Sequence, residues 1–235
     1  MKQDFLKGVR DGIPICLGSL SVSLGFGILA TGLGISLLAA VGISLTNLTS
    51  AGQVAGVGII AAGGSLIEMA LTQFIINIRY SLMGISLSQK LDENFSTFHR
   101  LVASFGITDE IFAVAVSQKT VSPYYMYGLT IISAFGWVLG TFLGGAAGNL
   151  LPESVSSALG IVLYGMFLAI IIPPSKKSKG VLIAVLVAAA LSIIFKYLLT
   201  SVSGGFAIII CAVLSAAICA VLFPVKEENE EEATE

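Results

Sequence analysis

Apolar runs about as long as a bilayer is thick recur from one end of this chain to the other. Residues 13–31, 65–88, 126–148, 155–172, 181–200 and 206–223 each approach or exceed the roughly 20 residues that a helix needs to cross hydrocarbon. Only 11% of the 235 residues are charged and mean hydropathy is +0.97, whereas soluble domains carry about 25% charged residues. So few charges cannot coat a water-soluble globule, so lipid is the solvent for most of the chain. The expected fold class is an all-α polytopic membrane protein. The net charge of −2 gives no reason to bind nucleic acid.

Two further stretches are expected to be broken or re-entrant. Residues 36–64 are rich in glycine and polar at the centre, with Asn47, Thr49, Ser50 and Gln53 amid Gly52 and Gly56. Irregular backbone at membrane depth is tolerated only when buried in protein or facing a water-filled cavity, so the glycine breaks at 52–58 are expected to line one. Residues 101–118 carry Asp109 and Glu110 side by side between apolar stretches, and Thr108 stands where an N-cap would start a half-helix.

Basic residues accumulate on the cytoplasmic side of membrane proteins. Lys2, Lys7 and Arg10 therefore place the N-terminus inside, and Lys176, Lys177 and Lys179 do the same for the loop at 173–180. Two more spans bring Lys226 and the C-terminus inside, while the uncharged loops at 32–35, 149–154 and 201–205 fall outside. Six to eight spans satisfy this. With eight, 36–64 and 101–118 each cross once and leave Lys90 and Arg100 outside. With six, both dip in and return, and Lys90, Arg100 and Lys119 stay inside. Residues 1–225 read as a single transmembrane domain, and 226–235, "KEENEEEATE", as a disordered acidic cytoplasmic tail. The basic start before an apolar run reads as a retained first span, and "DGIPICLG" at 11–18 puts Pro14 in the first turn of its helix. No convincing internal repeat is seen.

Residues 71–84, "LTQFIINIRYSLMG", hold an arginine in the middle of an apolar run. On a continuous helix Glu68, Thr72 and Arg79 share one face and Gln73 and Asn77 the opposite one, so the helix should sit inside the bundle. An ionisable group at that depth costs about 2.5–3.5 kcal/mol by insertion scales and faces a pathway or a partner. Glu68 and Arg79 lie roughly 16 Å apart along the helix and cannot pair. Asp109 and Glu110 are the available acids. The three cysteines, Cys16, Cys211 and Cys219, read as small apolar core residues. His99, the only histidine, is expected in a loop. No nucleophile set, metal cluster or phosphate loop appears, so neither enzyme activity nor a cofactor is expected.

Several stretches in order resemble the AzlC family, the large subunits of two-component exporters of branched-chain amino acids. They are "GIPICLG" with "GFGILA" near the start, "AGQ" at 51–53, "LTQFIINIRYSLMG", and "ITDEIFA" at 107–113. The chain departs from the family pattern at Tyr80, where a histidine is usual, at Ser21 and Ser23, where a proline and a glycine are common, and at Met83 before Gly84. The resemblance implies export of valine, leucine, isoleucine or similar amino acids across the bacterial inner membrane, with a small AzlD-like membrane subunit as partner. A zwitterion with an apolar side chain needs a positive group, a negative or carbonyl group and an apolar pocket. On that reading Arg79 attracts or balances the carboxylate and Asp109 or Glu110 meets the ammonium or a coupling proton. Asn77, Gln53, Gln73, Thr72 and Ser50 complete the expected site. The competing reading is a non-transporting scaffold or assembly subunit whose polar residues are interhelical glue.

Overall fold

The computed structural model describes residues 1–148, 165, 168 and 171–223. It divides into two compact units, Met1–Met166 and Phe167–Glu235. The described residues are helical throughout, apart from one isolated β-bridge. The run at 155–172, the loop at 149–154 and the acidic tail lie largely or wholly outside the described residues.

Unit 1 contains α1 (Lys2–Gly32), α2 (Leu37–Thr46), α3 (Ser50–Ala61), α4 (Leu66–Asn77), α5 (Arg79–Ser88), α6 (Thr97–Phe105), α7 (Asp109–Val116) and α8 (Pro123–Ala147). Unit 2 is an antiparallel pair, α9 (Lys179–Tyr197) and α10 (Gly204–Leu222), with Gly180 beside Phe223. Helices α1, α8, α9 and α10 are each long and apolar enough to cross a membrane. Serine or threonine caps most helix starts: Ser36, Thr49, Ser65, Ser96, Thr108, Ser122 and Ser178 each accept from a backbone N–H in the first turn.

The core of unit 1 is the seam between α1 and α8. These helices run parallel, with Gly8 against Tyr125, Cys16 against Gly136 and Leu24 against Gly144. A Cβ at Gly8, Gly27, Gly128, Gly136 or Gly144 would land on a backbone carbonyl oxygen of the facing helix. The glycines therefore set the closeness of the approach, as small residues do where lipid supplies no hydrophobic drive. Pro14 is not in the first turn, as its sequence suggested, but well inside α1, which begins at Lys2. The apolar count from residue 13 onward had missed the polar first turns of the same helix.

Two hairpins enter this frame from opposite ends. Helix α2 descends from the far end of α1, with Leu37 beside Gly145 and Ser44 bonded to Thr141 at 2.7 Å. The chain turns at 47–49, and α3 climbs back, so that Val57 packs with Phe26, Ala30 and Ala40. Helix α6 rises alongside α8 from the other end, with His99 Nδ1 2.6 Å from the Tyr127 hydroxyl and Gly106 against Thr130. The chain turns at 106–108 and α7 returns. Its end lies beside the end of α5, where Lys90 Nζ donates to the Val116 carbonyl at 2.6 Å and Leu91 bridges Val121. Lys7 donates to Gln118 at 2.8 Å. Thus Lys90 and Lys119 gather at the same end as Lys2, Lys7 and Arg10; this is called the basic end below. The sequence showed no repeat, yet the topology holds two similarly capped hairpins of opposite direction, each starting at a serine (Ser36, Ser96) and turning through a threonine (Thr49, Thr108).

Three expectations need correcting. The run at 65–88 is not one helix. It is interrupted at Ile78, where Ser81 N–H bonds back three residues to the Ile78 carbonyl at 3.1 Å. Nor is it enclosed on all sides. Glu68 and Thr72 are buried and Gln73 and Asn77 bond inward, but Ile67, Leu71, Phe74, Leu82 and Ile85 form an exposed apolar face. The glycines at 52–58 do not make the break in 36–64, which falls earlier, at 47–49; Gly52 and Gly56 lie inside α3, where they make room for Gln73. His99 sits in α6, whose first turn is capped by Ser96, rather than in a loop.

Candidate functional site

The three interruptions, at 47–49, 78 and 106–108, meet in the middle of unit 1. Arg79 opens α5 and Asp109 opens α7, and Arg79 Nη1 lies 2.9 Å from Asp109 Oδ2. The contact is single rather than a two-pronged fork. Arg79 Nε is buried with no hydrogen-bond partner among the described residues, and the guanidinium lies over the Tyr80 ring, 5.1 Å from its centroid.

Just before the break, Asn77 collects the other hairpin. Thr49 Oγ1 donates to Asn77 Oδ1 at 2.8 Å, and Asn77 Nδ2 donates to Gln73 Oε1 at 3.1 Å. Gln73 Nε2 in turn donates to the Gly52 carbonyl at 2.7 Å. Gln53, almost fully buried, donates through Nε2 to the carbonyl of Asn47, just past the end of α2, and to that of Ile43, which also accepts the Asn47 N–H, and it accepts from Trp137 Nε1 at 3.1 Å. The amides at 53 and 73 thus tie the turn of this hairpin to its neighbours, and Gln53 satisfies the Asn47 carbonyl at the turn.

A cavity of about 400 Å³ lies against these tips. Pro14, Ile15, Val22, Ala134 and Trp137 make an apolar wall from α1 and α8, and Ser50, Tyr80, Asp109 and Glu110 are its polar side. Glu110 has no hydrogen bond or ion pair among the described residues. The first turn of α3, at Ser50, carries no acid, whereas that of α7 carries two. The cavity therefore has the uncompensated positive end of one half-helix and carboxylates on another. A second cavity, of about 220 Å³, shares Leu48 and Tyr80 with the first and is lined by Asn77.

Of the residues expected at the site, Ser50, Asp109 and Glu110 line the larger cavity and Asn77 the smaller. Arg79 stands behind Asp109. Gln53 and Gln73 brace the α2–α3 hairpin. Thr72 lines neither cavity, and its buried hydroxyl has no hydrogen-bond partner among the described residues. Trp137 was missed, and Tyr80 and Thr49, though noted in the sequence, were not counted among the site residues. Trp137 is the only tryptophan, and an indole N–H inside an apolar run needs an acceptor, a signal present in the sequence.

The bracing is testable. Gln53→Leu should destabilise the protein by about 1–3 kcal/mol, since it strands the Trp137 N–H and the Asn47 carbonyl. Because Trp137 is the sole tryptophan, the same substitution should shift its fluorescence emission. Adding Trp137→Phe should recover part of the loss. Unchanged emission and thermal midpoint would show that the amide braces nothing.

Comparison with known proteins matches the family described as AzlC protein over residues 14–151. "Inner membrane protein YgaZ" of Escherichia coli (strain K12) is 30% identical, with 91% of this chain and 90% of that protein covered. An "Uncharacterized membrane protein" of Archaeoglobus fulgidus is 32% identical over 73% of this chain and 76% of its own. "Branched-chain amino acid transport protein AzlC" of Bacillus subtilis (strain 168) is 25% identical over 71% of this chain and 66% of its own. No solved structure matches.

Proposed function

From the premise that this chain belongs to the AzlC family of membrane proteins, we propose that it is a secondary transporter subunit, not an enzyme, that exports branched-chain or similar apolar amino acids. The observation that carries this reading is the cavity of about 400 Å³, apolar along α1 and α8, with Asp109 and Glu110 on its polar side and Arg79 behind Asp109. An amino acid fits with its side chain on Ile15, Val22 and Trp137. Its ammonium turns to Glu110, and its carboxylate turns to the N–H groups that open α3. Arg79 balances Asp109 and keeps the buried charge near zero. The printed name of the Bacillus subtilis relative points to the same substrate class.

The basic end faces the cytoplasm on this reading, which puts the N-terminus inside. Both hairpins then dip and return, and α1, α4–α5 and α8 cross, which favours six crossings for the chain when the run at 155–172 and α9 and α10 are added. A small AzlD-like subunit would cover part of the exposed apolar surface, and the intramembrane acids suit coupling to protons. Interhelical glue accounts for Gln53 and Gln73, but not for an unpartnered Glu110 beside a cavity.

Radiolabelled leucine efflux decides between transporter and scaffold. Cells expressing the chain with its small partner should lose leucine faster than cells lacking it. Glu110→Gln should slow that efflux about tenfold, the factor for losing one charge-assisted contact, at unchanged protein yield. Equal efflux from all three strains would leave the scaffold reading standing.

A further inference from the structure

The two hairpins are fastened very differently at their tips. The α2–α3 tip is tied to α4 by Thr49–Asn77 and by Gln73 to the Gly52 carbonyl, and to α8 by Gln53–Trp137. Among the described residues the α6–α7 tip has one polar tie to the rest of the unit, the ion pair between Asp109 and Arg79. Thr108 caps only its own helix. At its base, by contrast, α7 is held firmly. Lys90 Nζ grips the carbonyls of Val116 and Gln118, Val121 N–H bonds to Lys90 at 2.8 Å, and Asp92 N–H bonds to Val121 at 3.0 Å.

Apart from the non-directional apolar packing of Ala103, Ile107 and Ile111, the tip is thus held by one polar contact, and a segment pinned at its base in this way can swing. We propose that α6–α7 is the movable gate of the larger cavity, with the Arg79–Asp109 pair as its latch and the Lys90 clamp as its hinge, while α2–α3 is the fixed side. This rests on the transporter reading only for what passes through. The latch suits release. Its one-oxygen contact forgoes the fork geometry that makes arginine–carboxylate pairs strong, and Arg79 Nε stays unused. Asp109 also lines the cavity. A ligand ammonium drawn to Glu110 brings a second positive charge beside Asp109 and weakens its hold on Arg79, so occupancy and release are coupled. Because the hairpin enters from the basic end, its swing opens the cavity toward that end.

The test uses the full chain in membrane vesicles. Cys16, Cys211 and Cys219 are replaced by alanine, and Ser133→Cys supplies a buried reporter in the α8 wall of the cavity. A membrane-impermeant thiol reagent is applied from each side in turn. Asp109→Asn and, separately, Arg79→Gln should speed labelling from the basic-end side about tenfold, while Thr49→Val should leave it unchanged. The charge swap Arg79→Asp with Asp109→Arg should restore slow labelling, which separates a latch from general loosening. Equal rates with and without the pair, or the same acceleration from Thr49→Val, would overturn the gate. If removing the pair speeds labelling but millimolar leucine changes nothing, the gate stands and the amino-acid reading falls.

Discussion

Arg79→Gln is expected to reduce amino-acid efflux to background and to lower the thermal midpoint in detergent by roughly 4–8 °C, the shift that about 2 kcal/mol gives in a chain of this size. The estimate starts from the 3–5 kcal/mol that follows loss of one partner from a fully buried pair. It is lowered because the Arg79 and Asp109 side chains keep 37% and 30% of their exposure. The cost comes mainly from Asp109, which stays at membrane depth without a counter-charge. Arg79→Gln combined with Asp109→Asn should therefore regain most of the stability, since no charge is then stranded. It should not regain transport, which needs the charges themselves. Recovery of efflux by the neutral pair, or a single variant as stable and active as the parent, would remove Arg79 from the mechanism.

A larger structural effect is expected along the seam. Gly144→Ala adds one methyl group, yet that carbon would sit on the Leu24 carbonyl oxygen and crowd its Cα as well. No side chain there can rotate away, so α1 and α8 must separate. Overpacking of this kind costs about 1–3 kcal/mol, and Gly144→Leu should prevent assembly altogether. Gly42→Ala is the control. It lies in α2 with open space around it, and alanine there should be neutral or stabilising by about 0.5–1 kcal/mol. Purified yield and thermal midpoint distinguish the cases. A Gly144→Ala protein as stable as Gly42→Ala would mean that the seam is not set by its glycines.

The membrane class, the four long spans and the pairing of Arg79 were legible because they follow from burial cost alone. A guanidinium in an apolar run needs an acid, helix rise excludes Glu68, and Asp109 and Glu110 remained, of which the structure pairs Asp109. Thr108 was legible as a cap for similar local reasons. The break at Ile78 was not, because "FIINIRY" contains neither glycine nor proline. It coincides with polar ties on either side, at Asn77 and Arg79, whose partners lie 28 and 30 positions away along the chain. The glycines of α3 misled in the opposite direction. Their composition suggested a break, but their use is to admit Gln73. The pair of opposed hairpins left almost no trace in residue identity, since direction is carried by contacts such as Leu37 with Gly145 and Gly106 with Thr130.

The parallel α1–α8 seam also dictates an order of biogenesis. The two halves of the seam are separated by the whole α2–α7 segment, and Asp11 must wait for Tyr125, 114 positions later, for its hydrogen bond. A nascent chain halted before α8 emerges presents a bare glycine stripe on α1 and an unbraced Gln53. Packing of unit 1 therefore completes only when α8 is in place, and chains that end before α8 should be the ones that membrane proteases clear.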